Sequence, residues 1–280
     1  MNRNKYLLSF ALILSSIVST YFVTSSAAQQ SAQPQTADNE YQVAAILYQQ
    51  KAAEYRALTF QAFNIAKMQL DADFEKRNLK KLPKAERKRT RAIVVDVDET
   101  VLDNSMHQAA LVKKRLPYMP DTWTVWVNMR KATSIPGALD FLNYANRKGV
   151  RVFYVTNRNA AEKQGTIDNL KQTGFPDVSD ETVMVRATES SKEVRRQAIL
   201  QKHRIVLLIG DNLNDLSNVF ERKSVADRFT EVDRTCEMFG RKFIVLPNVM
   251  YGDWESAIYE YQRLSEVEKT RKRNEALTSY

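Results

Sequence analysis

The stretch that most constrains this chain is Ala92-Ile93-Val94-Val95, followed by Asp96-Val97-Asp98-Glu99-Thr100-Val101-Leu102-Asp103-Asn104-Ser105. The four apolar residues are mostly β-branched and show no polar alternation, the pattern of a strand buried on both faces of a parallel sheet. The run stops at two carboxylates spaced i, i+2. With extended geometry kept through Asp98, both side chains leave the same side of the chain at the strand's carboxyl end. Open α/β sheets bind their ligands at that end. Two bare carboxylates there repel unless a cation or a shared proton intervenes, so the spacing points to a metal site or an acid–base pair. An isolated Asp-x-Asp is also an ordinary acidic turn, and the remaining runs separate the two possibilities.

Val152-Phe153-Tyr154-Val155 is a second apolar run, ending in Thr156-Asn157-Arg158. Ser190-Ser191-Lys192 opens a charged helical segment, and Val206-Leu207-Leu208-Ile209 ends in Gly210-Asp211-Asn212-Leu213-Asn214-Asp215. This order of a strand-end acidic pair, a strand-end hydroxyl, an isolated lysine and a second acidic pair resembles the four motifs of the haloacid dehalogenase-type phosphatases. More narrowly, residues 95–104, 155–158 and 209–213 resemble the class C bacterial acid phosphatases, the lipoprotein e type of 5′-nucleotidase. So do Ala53-Glu54-Tyr55-Arg56-Ala57-Leu58 and Leu246-Pro247-Asn248-Val249-Met250-Tyr251-Gly252. The resemblance spans roughly residues 40–260, and the joint occurrence of these blocks makes it specific. It implies an α/β, Rossmann-like haloacid dehalogenase fold: a central parallel sheet, helices on both faces, and a mainly helical N-terminal and cap region.

Residues 1–28 read as a signal peptide. Arg3 and Lys5 precede an apolar stretch, and Ser26-Ala27-Ala28 offers a small-residue cleavage site. An uncleaved anchor is the alternative, because apolarity resumes at Tyr21-Phe22-Val23, although Ser15, Ser16, Ser19 and Thr20 weaken it. The single cysteine, Cys236, lies far from this region, so there is no lipidation cysteine and no intrachain disulfide. The expectation is a periplasmic or secreted bacterial protein, outer-membrane association being less expected. Residues 29–39 form a polar spacer expected to be disordered, and residues 40–280 one phosphatase domain, of ample size to bury a core.

Residues 40–78 contain neither proline nor glycine. Ala44, Tyr48, Ala52, Tyr55, Leu58, Ala62, Ile65 and Ala66 recur at helical spacing, giving a helical extension over residues 40–80, as one helix or two in series. Residues 80–91 are basic, and the formal charge of the chain is +9. No aromatics interleave these charges, so a solvated connector that attracts phosphate esters is expected rather than a nucleic-acid surface. An insertion over about residues 106–135, carrying Trp123 and Trp126, is placed to cap the strand ends. Helices are expected from Pro136-Gly137 to about Arg147, from about Ala160 to Thr173, from Glu193 to about His203, and from Glu255 to about Lys272. Short strands are expected at Val183-Met184-Val185 and from Lys242 to Val245.

The resemblance assigns chemistry residue by residue. Asp96 is the expected nucleophile and Asp98 the general acid and base. Thr156, through its hydroxyl and backbone N–H, and Asn157 would contact the phosphoryl oxygens, and Lys192 would supply a fixed positive charge. Mg²⁺ would be held by Asp96, the backbone carbonyl of Asp98 and Asp211, with Asp215 acting mainly by orienting waters or the lysine. Thr156 and Asp211 each have a plainer reading as helix caps, and Lys163 and Arg158 compete with Lys192. Neither His107 nor His203 sits in a phosphohistidine pattern. Trp123 and Tyr251 are the best matches for a nucleobase clamp, with Trp126 and Trp254 as alternates. The expected function is an exported, Mg²⁺-dependent acid phosphatase acting on phosphate monoesters, above all nucleoside 5′-monophosphates. No nucleic acid and no stable membrane anchor are expected as partners, and a homo-oligomer is left open. The rivals are a phosphatase for other esters, such as sugar phosphates, and a haem or nucleotide carrier on the same scaffold; retention of Asp96 favours an enzyme.

Overall fold

The central strand is the one that the apolar run anticipates. In the computed structural model, which describes residues 39–280, β1 is Thr90–Val95, β2 Leu102–Asp103, β3 Thr133–Ser134, β4 Arg151–Val155, β5 Val183–Met184, β6 His203–Gly210 and β7 Phe243–Val245. Five of them form a wholly parallel sheet in the order β5-β4-β1-β6-β7, and β2 and β3 make a separate antiparallel pair. Ile93 and Val95 feed one hydrophobic cluster, whereas Ala92 and Val94 feed another. Successive side chains therefore point into two different cores, which is why the strand has no polar residue to spare. Val152 and Tyr154 alternate with Phe153 and Val155 in the same way.

The first cluster is closed by helices Ala53–Phe74, Ala138–Arg147 and Lys163–Thr173, which contribute Phe63, Leu70, Phe141, Leu142, Ile167 and Leu170. The opposite face is covered by helix Glu193–Lys202 through Ile199, by the turn Leu213–Leu216, and by helix Val225–Arg234 through Val232. The expected α/β architecture, with helices on both faces of a parallel sheet, is thus present.

The N-terminal extension is two helices in series, Val43–Lys51 and Ala53–Phe74, separated by an extended Ala52 at φ −78°, ψ 126°. From Tyr55 the buried face runs through Thr59, Ala62, Phe63, Ala66 and Leu70. Ala44 and Leu58, counted into the apolar stripe from the sequence, are exposed. One extended residue changes the direction of the chain, so a single helical period does not carry across it. Of the expected signal peptide (residues 1–28) and spacer (residues 29–39), only Asn39 lies within the described residues. It is buried, and its amide donates to the carbonyl of Leu116 at 3.1 Å.

The cap insertion comprises helices Ser105–Lys114 and Pro120–Met129, the latter starting on proline, whose fixed φ suits a first turn. The expected closing helix over 255–272 is instead two, Asp253–Ile258 and Glu266–Ala276. Glu260 and Tyr261 between them are both left-handed, at φ 54° and 58°. No glycine announces that turn. It is held by Tyr261, whose N–H donates to Ser256 O at 2.9 Å and whose hydroxyl donates to Lys223 O at 3.1 Å. Among the described residues, no helix is long and apolar enough to cross a membrane.

Candidate active site

Asp96 follows β1 directly, and its backbone N–H donates to Ile209 O on β6 at 2.9 Å, so its carboxylate is presented at the sheet's carboxyl end. That carboxylate is bonded to Lys192 Nζ, which also lies 2.7 Å from Asp215 Oδ1. All three side chains are buried. After Asp96 the chain does not stay extended. Val101 and Leu102 donate to Val97 O at 3.0 and 2.9 Å, and Glu99 adopts φ 56° with its carboxylate accepting from Asn104 N at 2.8 Å. The turn returns Thr100 to the strand end, where Oγ1 stands 3.2 Å from Asp96 Oδ2 and 3.0 Å from Asp211 Oδ1. Asp211 also accepts from Asn248 Nδ2 at 2.8 Å. At the end of β6, Gly210 permits Asp215 to approach, since a β-carbon there would sit 2.4 Å from the Asp215 side chain.

Asp98 turns toward the β4 side. Its Oδ1 accepts from Arg158 Nη2 at 2.8 Å and from Asn104 Nδ2 at 2.9 Å, and its Oδ2 from Thr156 Oγ1 at 3.2 Å. Arg158 is itself buried, with Nη1 donating to Thr166 Oγ1 at 3.0 Å and the guanidinium 5.5 Å from the Trp123 ring centre. The backbone N–H of Thr156 donates to Met184 O at 3.1 Å, so it belongs to the sheet ladder and not to a ligand, contrary to the sequence expectation. Asn157 is exposed and accepts from Arg195 Nη2 at 2.7 Å.

The plainer cap readings do not hold. Asn159 caps the turn after β4, in a capping box with Glu162, and Asn212 caps Leu213–Leu216, in a capping box with Asp215. Thr156 Oγ1 instead accepts from Arg158 N at 3.1 Å within the turn, and Asp211 is left for other work. Lys163 is paired with Asp180 at 2.7 Å, and Arg158 serves Asp98, so Lys192 alone of the competing cations meets Asp96.

Burial, then the neighbouring Asp215, pushes the Asp211 carboxyl up to about 7. Burial also raises Asp96, against the pull of Lys192 and with the help of Asp215 and Asp211. For Lys192 burial works against the ammonium, but Asp215 and Asp96 outweigh it and raise its pKa. One carboxylate oxygen from each of Asp96, Asp211 and Asp215 lies within 4.8 Å of the other two. Two buried carboxylates and the half-buried Asp211 thus face one buried ammonium, a donor set suited to a hard, oxygen-seeking cation. A carboxyl raised in the fold favours the folded state most below its unfolded pKa, and that contribution is lost as pH rises through the folded value. The protein in chelator is therefore expected to melt at progressively lower temperature as pH rises from about 4 through 7, and a divalent cation should reverse the decline. A melting temperature that is flat with pH and indifferent to the cation would contradict this charge balance.

Residues 11–254 match the sequence model of the family described as HAD superfamily, subfamily IIIB (acid phosphatase). The chain belongs to this family. The structure of the class C acid phosphatase from Bacillus anthracis is 41% identical and superposes with a TM-score of 0.79, covering 86% of this chain and 98% of that one. The crystal structure of that enzyme with tungstate bound gives the same identity, TM-score and coverage. The protein is accordingly an acid phosphatase, a phosphoric monoester hydrolase, of a superfamily whose phosphatases use a divalent metal.

In this phosphatase Asp96, Asp98, Lys192, Asp211 and Asp215 open onto one cavity of about 620 Å³. Trp123 and Tyr251 line the same cavity. Trp126 does not; its Nε1 donates to Asn104 Oδ1 at 2.8 Å, helping to fix an amide bonded to Asp98. Trp254 is 44% exposed and lies outside the cavity lining. His107 packs edge-on against Trp123, His203 stands by Phe153 at the far end of β6, and Cys236 is exposed. Sequence reasoning gave no role to Thr100, Asn104 or Asn248 and saw Arg158 only as a competitor of Lys192. The signal available was proximity: Thr100 and Asn104 follow the acidic pair within six residues, and Asn248 lies in a block that itself carried the resemblance.

Proposed function

We propose that this acid phosphatase is an exported, Mg²⁺-dependent enzyme that hydrolyses small phosphate monoesters, 5′-nucleotides foremost, through an aspartyl-phosphate on Asp96. The observation that carries the reading is the division of labour between the two carboxylates. Asp96 is buried against Lys192 and two further carboxylates, while Asp98, in the same cavity, is held by Arg158, Thr156 and Asn104.

A phosphate monoester repels an attacking anion, so the attack of Asp96 requires neighbouring positive charge. Lys192 supplies part of it. Asp96, Asp211 and the backbone carbonyl of Asp98 would hold Mg²⁺, which when bound neutralises charge between nucleophile and phosphoryl group. Asp215 has one oxygen on Lys192 and the other accepting from Asn212 N at 3.0 Å, an arrangement that supports an orienting role for it. In the first step an Asp96 oxygen bonds to phosphorus, the ester P–O bond breaks, and Asp98 gives its proton to the departing alkoxide. In the second, Asp98 takes a proton from water as that water attacks phosphorus, releasing phosphate and the Asp96 carboxylate. Thr156 and Asn157, at the β4 end, are the candidates to position the phosphoryl oxygens, Thr156 through its hydroxyl alone. The intact Asp96–Lys192–Asp215 constellation argues against a carrier on a retired scaffold.

A panel of 5′-nucleotides, sugar phosphates and phenyl phosphate, assayed with Mg²⁺ and with chelator, tests the reading. Preference for sugar phosphates would reassign the substrate, and full activity in chelator would remove the metal. Trp123 and Tyr251 are proposed to clamp the base. Because Trp123 also packs beside Arg158, Tyr251 is the cleaner probe. Stacking contributes about 1–3 kcal/mol per base, so Tyr251→Ala should raise KM for a 5′-nucleotide by about fivefold to a hundredfold, and KM for phenyl phosphate far less. Equal changes for both esters would remove Tyr251 from base recognition. Export is tested by mass spectrometry of the native protein, which should begin near Gln29; retention of Met1 would contradict cleavage.

A further inference from the structure

We infer that the C-terminal helix Glu266–Ala276 is the outer wall of the phosphatase cavity, and that Glu266 and Lys269 on it select among leaving alcohols by their polar groups. The inference rests on the proposed function only in placing the ester's leaving group in this cavity. The family match ends at residue 254, yet Glu266 and Lys269 line the same cavity as Asp96, Asp98 and Lys192. A phosphoryl group fills a small part of about 620 Å³. The remainder is available to the alcohol, and Glu266 and Lys269 are among the charged residues that line it.

The helix is a built wall. Ser265 and Glu268 form a capping box, with Ser265 N donating to Glu268 Oε2 at 2.8 Å and Glu268 N to Ser265 Oγ at 3.3 Å. This start fixes Glu266 in the first turn and Lys269 three residues on, where i, i+3 side chains share a face. No residue of the helix is buried, so polar anchors hold it. The Arg273 guanidinium lies 3.8 Å from the Tyr41 ring centre and donates to Tyr259 Oη at 2.7 Å. The Tyr259 hydroxyl donates in turn to Glu255 Oε1 at 2.7 Å, and Tyr41 Oη donates to the same oxygen at 3.2 Å. Lys272 adds a bond to Glu260 at 2.8 Å. These contacts tie the helix to the N-terminal turn Glu40–Gln42 and to the helix that follows Tyr251.

Lys269 Nζ and Glu266 Oε1 are paired at 2.8 Å, both partly solvent-exposed. Such a pair is weak and exchanges readily for a ligand. Opened, it offers a cation to an acceptor and a carboxylate to a donor, the needs of an alcohol bearing hydroxyls or a heterocycle. An unsubstituted phenol has neither group.

The test compares Lys269→Ala, Glu266→Ala and Arg273→Ala with the parent protein on a 5′-nucleotide, a hexose phosphate and phenyl phosphate, using inhibition constants where an ester is not turned over. Loss of one charge-assisted hydrogen bond predicts that Lys269→Ala lowers the ratio of kcat/KM for a polar ester to that for phenyl phosphate by about fivefold or more, through KM. Lys269→Arg should restore much of that ratio. Arg273 lies outside the cavity lining, and its removal should lower the same ratio by freeing the helix, with the melting temperature of the domain followed in parallel. Ratios unchanged in Lys269→Ala and Glu266→Ala, or equal losses on all three esters, would overturn the inference. If the parent enzyme shows no preference for the nucleotide, the nucleotide reading fails, and the wall is judged on the hexose phosphate ratio alone.

Discussion

Asp96→Asn is expected to lower kcat by a factor on the order of 10⁴–10⁶, the scale seen when a covalent nucleophile is removed, while the domain stays folded. The amide is nearly isosteric, so packing around a side chain buried against Lys192 is retained. It cannot attack phosphorus, and it would be a poorer metal ligand. Stability should not suffer in proportion. Lys192 keeps its bond to Asp215 at 2.7 Å, and one of three crowded carboxylates is gone. The melting temperature at neutral pH, in chelator, should therefore be unchanged or higher. Single-turnover assays with a chromogenic ester, combined with thermal melts, check both halves. Ordinary turnover by the purified variant would end the assignment of Asp96 as nucleophile.

Lys192→Met should have the opposite profile, with stability failing along with activity. The lysine is 4% exposed and is the buried cation bonded to Asp96 and Asp215. Removing one partner from a buried ion pair leaves charge uncompensated, at a cost of about 3–5 kcal/mol. That cost depends on the carboxylates being ionised. At pH 5, below the value of about 7 to which Asp211 is raised, the cluster can take up protons. The loss there should be smaller than at pH 8, and a divalent cation should recover part of it. Equal destabilisation at both pH values, insensitive to the cation, would mean that the lysine matters here through its hydrocarbon chain.

How much of this was legible in the sequence depended on the range of the signal. Strands β1, β4 and β6 were visible because a strand buried on both faces carries an unbroken apolar run, and a polar residue or glycine marks where that run stops. Asp96, Thr156 and Asp211 could then be placed, because a strand end is a local feature. The partner of each group was not local. Thr100 meets Asp211 across 111 residues, and Asn248 meets Asp211 across 37. Arg158 rivals Lys192 in the sequence because composition gives its charge but not its direction; its guanidinium points to Asp98, 60 residues away. The position of the break at Ala52 and the left-handed pair Glu260–Tyr261 escaped because neither uses proline or glycine. The placement of Glu266 and Lys269 at the cavity followed from that unseen turn.

The strand order has a consequence for how activity first arises as the chain is made. β1, which leads directly into Asp96, sits between β4 and β6, so its neighbours are supplied by residues 151–155 and 203–210. A growing chain exposes the nucleophile early, but Lys192, Asp211 and Asp215 arrive about a hundred residues later, seconds behind it at usual rates of synthesis. Until they do, Asp96 has neither its cation nor the other carboxylates of the cluster. A nascent or truncated chain ending before residue 190 thus holds two of the four motifs and no assembled centre. Hydrolytic capacity is not acquired in portions along the chain; it requires β6 docked on β1.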